Sequence, residues 1–231
     1  MRIKLISLFS ALLLVFTFAY EAAATETTTE STVTSATATP KTTDSTSTDI
    51  KTRFEYDLEE KRENITQITE AARERFETRK AEFIDQVAEI SDQKKQVILT
   101  DLVDKFDQLN IKWVGHWQRI LDRLSKILDK MDAKSQQLAA DGTDISDYEE
   151  LSDDARKKIA EALTLLEEQA GNTYVFDITT ESRLGTEVSK VTAQYRADIA
   201  ATHKAVKAAR EAVKAAFTSL KDIRKEAKNE E

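Results

Sequence analysis

Residues 169–184 read QAGNTYVFDITTESRL. Gly171 closes a helical pattern, and beyond it Tyr174, Phe176 and Ile178 alternate with Val175, Asp177 and Thr179, the period of extended chain. Everything around this stretch has the period of a helix. Downstream, Thr179 or Thr180 is placed to cap a helix whose apolar stripe runs Leu184, Val188, Val191, Tyr195, Ile199, Val206, Val213, Phe217 and Leu220, reaching about Lys228. Upstream, Ser146 and Glu149 have capping-box spacing and open a helix that carries Tyr148, Leu151, Ala155, Ile159, Ala162 and Leu166 inward.

Before that helix, Asp141-Gly142 marks the end of a longer one, because glycine accepts the left-handed conformation that stops helices. Its stripe is Leu102, Phe106, Leu109, Trp113, Trp117, Ile120, Leu124, Leu128, Met131 and Leu138. Steps of 3, 4 and 4 sum to eleven, so this stripe is expected to stay nearly straight. A further stripe from Phe54 to Ile90 precedes it. Ser91 and Asp92 fit either a new cap or the interior of one continuous helix, and both readings stand.

Composition agrees with a helical chain. A third of the residues are charged, 42 acidic against 34 basic, and the chain has one proline and four glycines, too few for a sheet-rich fold with many tight turns. Helical residues rise ~1.5 Å each and extended ones ~3.3 Å, so the helix ending at Ala140 is ~65 Å long and the next returns only ~37 Å. The extended residues add ~30 Å, enough to retrace the remainder. The fold expected is all-α: an elongated three-helix antiparallel bundle, up-down-up, with helices at about 92–140, 146–170 and 180–228, an extended segment at about 172–179, and a long additional helix at 51–91.

The same count sets the end of the helix at Gly171 level with about residue 115. An extended chain is thinner than the helix it replaces, so large side chains are needed there. Trp113, Trp117, Tyr174 and Phe176 would supply that volume, and Gly115 would let the extended backbone approach. The competing reading of these five residues is a ligand pocket between the helices.

The first 24 residues, MRIKLISLFSALLLVFTFAYEAAA, place Arg2 and Lys4 before an apolar run from Leu5 to Phe18 and small residues after it. That is the order of a secretory signal peptide cleaved after Ala24 or Ala19; an uncleaved anchor is the competing reading. Threonine, serine and alanine dominate residues 25–50, which are expected to form a disordered spacer. No cysteine is present, so stability is expected to rest on helix packing alone.

Reactive groupings are scarce. His116 and His203 fall at similar heights but lack the further ligands a metal needs. Asp141, Asp144, Asp147, Glu149 and Glu150 surround a glycine at the wrong position for a calcium loop. No nucleophile elbow or phosphate-binding glycine loop occurs. No enzyme activity, metal or cofactor is expected. Residues 141–168 carry ten acidic and three basic side chains, and residues 204–228 eight basic and three acidic, so the two segments are expected to attract across the end of the bundle. Nucleic acid is not an expected partner of an exported chain with net charge -8.

The runs HWQRILDRLSKILDKM, AADGTDIS and QAGNTYVFDITTESRL are similar to segments of uncharacterised secreted helical proteins predicted from genomes of uncultured bacteria. The resemblance covers roughly residues 90–225 and implies a bacterial, extracytoplasmic protein. No activity or functional residue comes with it.

Two functional expectations follow. One is a noncatalytic helical protein in the periplasm, at the cell surface or secreted, working in structure or protein-protein contact. Its association face would be the stripe Phe54, Leu58, Ile65, Ile68, Phe76 and Phe83, which a three-helix rod does not need; a protein partner or a second copy would cover it. The other is a ligand- or client-binding module, resembling a holdase, using Trp113, Trp117, Tyr174 and Phe176. No integral membrane domain is expected in the mature chain.

Overall fold

The computed structural model describes residues 44–178 and 180–229, and this part of the chain is all-helical, with no strand among the described residues. Its elements are α1 (Asp44–Ala88), α2 (Gln93–Ala140), α3 (Ser146–Gly171) and α4 (Leu184–Asn229), the last entered through a 3-10 turn at Glu181–Arg183. The expected leader at 1–24, most of the expected spacer at 25–50, and Thr179 lie outside the described residues. Residues 44–50 of that spacer belong to α1, which therefore begins before 51.

The helices stop where local chemistry stops them. α1 and α2 are separate: Asp92 is extended and its carboxylate accepts the amides of Lys94 and Lys95, so it caps α2. Gly142, with φ of 88°, takes the left-handed conformation after α2. The expected capping box at Ser146 does not form. Ser146 is already the first helical residue, and the Asp144 carboxylate two residues earlier accepts its amide at 3.0 Å. Thr180 is extended and provides no side-chain cap.

Ion pairs and hydrogen bonds fix how the helices run. Arg62 pairs with Asp122 and Lys80 with Asp104, so α1 and α2 lie antiparallel. Asn110 meets Gln169 and Asp132 meets Tyr148, so α2 and α3 are antiparallel too. Phe106 meets Tyr195 and Trp117 meets His203, which carries α4 alongside α2 in the same sense.

α1 is not an additional helix with a free stripe. Phe54, Leu58, Ile65, Phe76 and Phe83 are buried within the chain itself, and Ile68 packs against the same interior. α2 meets that stripe with apolar residues of its own: Val114 lies beside Thr69 and Ala72 of α1, Val103 shares a buried cluster with Phe76 and Phe83, and Leu121 one with Leu58 and Ile65. A helix from the same chain covers them without the translational entropy a separate partner would lose.

The interior has two parts. In one, α3 is helical and the packing is mostly aliphatic: Leu121, Leu128, Ile159, Leu163 and Leu166 with Ala155, Ala162, Ala209 and Ala216, joined by Phe54, Trp117 and Tyr148. Those alanines let α3 and α4 form the most extensive helix pair of the fold. Charge does not join them, as the acidic and basic segments would suggest, because no ion pair links α3 to α4 among the described residues. In the other part the third leg is extended, and the packing is aromatic: Phe76, Phe83, Phe106, Tyr174, Phe176 and Tyr195.

Candidate functional site

The place where the third leg changes from helix to extended chain is the most specialised region of the interior. Gly171 ends α3 beside α1: a Cβ there would be in van der Waals contact with Ile68, at 3.4 Å. Asn110 of α2 donates to the backbone oxygens of Gln169 (3.2 Å) and Asn172 (3.1 Å), one on each side of the end of α3. Gln169 donates from its amide nitrogen to Asn110 Oδ1 (2.6 Å) and to the Tyr174 hydroxyl (2.9 Å). That hydroxyl in turn donates to Asp198 of α4 (2.9 Å), which Gln194 also holds (2.7 Å). Burial pushes the Tyr174 phenol well above its ordinary range, and the neighbouring Asp198 carboxylate adds to the shift.

Residues 174, 175 and 176 are all buried, although strict alternation would expose Val175. The segment is not the edge of a sheet; it lies among α1, α2 and α4 and both its faces are covered. Its backbone therefore bonds with side chains. Arg75 donates to Gly171 O (3.1 Å), Arg79 to Val175 O (3.3 Å) and to the Thr173 hydroxyl (3.3 Å), and the Ile178 amide donates to Gln86 Oε1 (3.0 Å). All three side chains come from α1, which thus satisfies an extended chain that has no neighbouring strand.

The expected aromatic level divides. Tyr174 and Phe176 stand where the helix gives way, with Phe106 at centroid distances of 6.4 and 6.2 Å, Tyr195 5.0 Å from Tyr174 and Phe83 5.9 Å from Phe176. The tryptophans stand elsewhere. The end of α3 lies level with Asn110 rather than residue 115, because α3 has already descended beside the last turns of α2 when it begins: Tyr148 reaches Asp132. Trp117 consequently packs in the aliphatic part, 2% exposed, while Trp113 is 38% exposed and stacks on it at 5.3 Å. Gly115 admits no extended backbone; a Cβ there would meet only the end of Arg119 at 3.5 Å.

A second polar cluster ties α2 to α3. Asp132 accepts from Tyr148 (2.7 Å) and Ser152 (3.0 Å) and pairs with Arg156, whose other nitrogen reaches Ser152 (3.1 Å). Asp132, Ser152 and Arg156 are all buried. Burial, and hydrogen bonding to the carboxylate, push the Tyr148 phenol far up. Between α1 and α2 a cleft with room for about one water is lined by Thr69, Arg73, Asp107 and Asn110. The Asp107 carboxyl lies above its ordinary range, mainly through burial and also through Glu77.

Sequence reasoning missed both polar clusters. Asp132 and Ser135 fall on the inward stripe of α2, and polar residues there were the available signal. His116 and His203 do not converge on each other; each lies against a different tryptophan. No family model, curated protein or solved structure matches the chain.

Proposed function

We propose that this is a noncatalytic, extracytoplasmic helical protein that works through structure and macromolecular contact, its α2, α3 and α4 forming an up-down-up rod with α1 as a fourth wall. One observation carries the reading: the polar side chains of the interior are committed to other parts of the fold. Asp132 is held by three donors, and Asn110, Gln169, Tyr174 and Asp198 hold one another. Among the described residues no buried side-chain nitrogen or oxygen lacks a partner. Catalytic groups need capacity left for a substrate, and these have spent theirs on architecture.

The ligand- or client-binding alternative needs an aromatic level that opens. Against it stands the close packing of Phe176, 1% exposed. Export rests on the leader pattern at 1–24 alone. The test uses Trp113→Phe, which leaves buried Trp117 as the only tryptophan. Blue emission that resists a soluble quencher and ignores apolar probes is expected; emission that a quencher reaches, or that an apolar dye shifts, would favour the binding module.

A further inference from the structure

From Asp104 to Lys130, α2 sorts its charges by side. Asp104 and Asp122 face α1, where Lys80 and Arg62 meet them, and Asp107 and Asp129 sense Arg73 and Lys51 of the same helix. The opposite flank carries Lys112, His116, Arg119, Arg123 and Lys130, all exposed and spaced to share one helical face. Along α4, Lys207, Arg210, Lys214, Lys221, Arg224 and Lys228 recur with Phe217 in alternating steps of three and four, again all exposed. No acidic residue interrupts this stripe. The two helices meet at buried Trp117, which stacks with Trp113 of its own helix and with His203 of α4 (6.4 Å).

Most of the cations on this side have no ion-pair partner. Among the described residues only Lys214 of those named forms an ion pair, with Glu211 of its own helix at 3.9 Å. The chain as a whole has net charge -8, so the polarity is one of arrangement. Apolar residues share the side: Trp113 and Ile127 are each 38% exposed and Phe217 53%. Ile127 sits in step between Arg123 and Lys130.

We propose that the α2/α4 side docks on an anionic phospholipid surface, its lysines and arginines against the headgroups and Trp113, Ile127 and Phe217 entering the interface. Charge complementarity commits the surface to an anionic partner, with basic residues acting within a Debye length of it. The apolar side chains select lipid among anionic partners. A soluble polyanion would leave them wet, whereas a headgroup layer takes tryptophan and phenylalanine below the plane that the cations neutralise. Two long parallel helices also present their cations side by side over ~45 Å, which suits an extended surface. This goes beyond the proposed function, which names no partner chemistry.

The experiment mixes the full chain with vesicles of phosphatidylcholine plus phosphatidylglycerol, or of phosphatidylcholine alone, and follows sedimentation and tryptophan emission. The readout is the affinity difference between the two vesicle types, so any affinity contributed by the apolar run at 5–18 is common to both. Preferential binding to anionic vesicles with a blue shift is expected, and Trp113→Phe should abolish the shift. Because each cation near such a surface is worth about fivefold, Lys207→Gln, Arg210→Gln and Lys221→Gln together should lower the anionic affinity roughly a hundredfold. Arg53→Gln, Lys157→Gln and Lys190→Gln make the same change of net charge elsewhere and should leave it unaltered; the positions are exposed, and circular dichroism checks that each triple variant is folded. Equal binding to both vesicle types, or equal loss in the two triple variants, overturns the proposal. Binding without a blue shift that soluble dextran sulfate abolishes assigns the side to a polyanion instead, and salt-reversible self-association without vesicles assigns it to a second copy.

Discussion

The two parts of the interior solve one problem in different ways. Where the third leg is helical, leucine, isoleucine and alanine make up most of the core, with Trp117, Tyr148 and Phe54 among them: Ala155 and Ala162 share it with Ala209 and Ala216, and a full-diameter helix fills the space. Where the third leg is extended, Phe76, Phe83, Phe106, Phe176 and two tyrosines replace the missing bulk. The helical part also satisfies its own backbone, while the extended part borrows Arg75, Arg79 and Gln86 from α1. A thin leg therefore needs both larger side chains and an outside source of hydrogen bonds. α1 supplies the second, and it is common to both parts.

The largest effect is expected from removing α1. A chain starting at Ser91 would expose Val103, Val114 and Leu121 and strip the bonds from residues 171–178, and it should lose cooperative unfolding and aggregate, as seen by light scattering and circular dichroism. A well-behaved monomer with a sharp thermal transition would show that the helical part stands without its fourth wall.

Next come single side chains in each part. Phe176→Ala should cost about 3–5 kcal/mol in denaturant unfolding. If the two parts form one cooperative unit the transition remains single; two transitions would separate them. In the helical part, Asp132→Ala leaves the Arg156 guanidinium buried and unpaired and should cost about 3–5 kcal/mol, whereas Asp132→Leu with Arg156→Met should recover most of the loss. A double variant as unstable as the single one would mean the cluster stabilises by more than mutual neutralisation.

Smaller effects probe the boundary between the parts. Asp107 has a raised folded pKa, so its contribution favours folding below its ordinary value of 3.8 and is lost as pH rises through the folded value. Asp107→Asn should therefore raise the melting temperature at pH 7 and change little at pH 3. An equal gain at both values would point to packing rather than charge. Smallest of all, Gly115→Ala should stabilise by up to about 1 kcal/mol through helix propensity, because space for a methyl group exists. A loss would restore the idea that backbone approaches there.

Much of this was readable in advance. Periodicity marked the helical stretches, Gly142 and Gly171 marked two of their ends, and the alternation at 174–178 marked the extended leg. What could not be read depended on neighbours. The stripe from Phe54 to Phe83 looks the same whether the surface covering it belongs to this chain or another, so α1 read as an association element. The tryptophans were misplaced by counting from the turn as though α3 began at its tip, when it begins alongside the last turns of α2. Asn110 and Gln169 resemble surface residues until the carbonyls they serve are seen, and Arg156 resembles one more solvated cation until Asp132 is found beneath it.

The bonds from α1 to the extended leg also order events in time. The α2–α3 hairpin makes contacts close in sequence and can form early, since loop closure there is short. Residues 173–178 cannot: their partners at Arg79 and Gln86 lie more than ninety positions upstream, and Tyr195 and Asp198 arrive only with α4. The leg is thus the last piece to lock, and its amides, lacking helical or strand partners, should be the first buried ones in the molecule to exchange with deuterium.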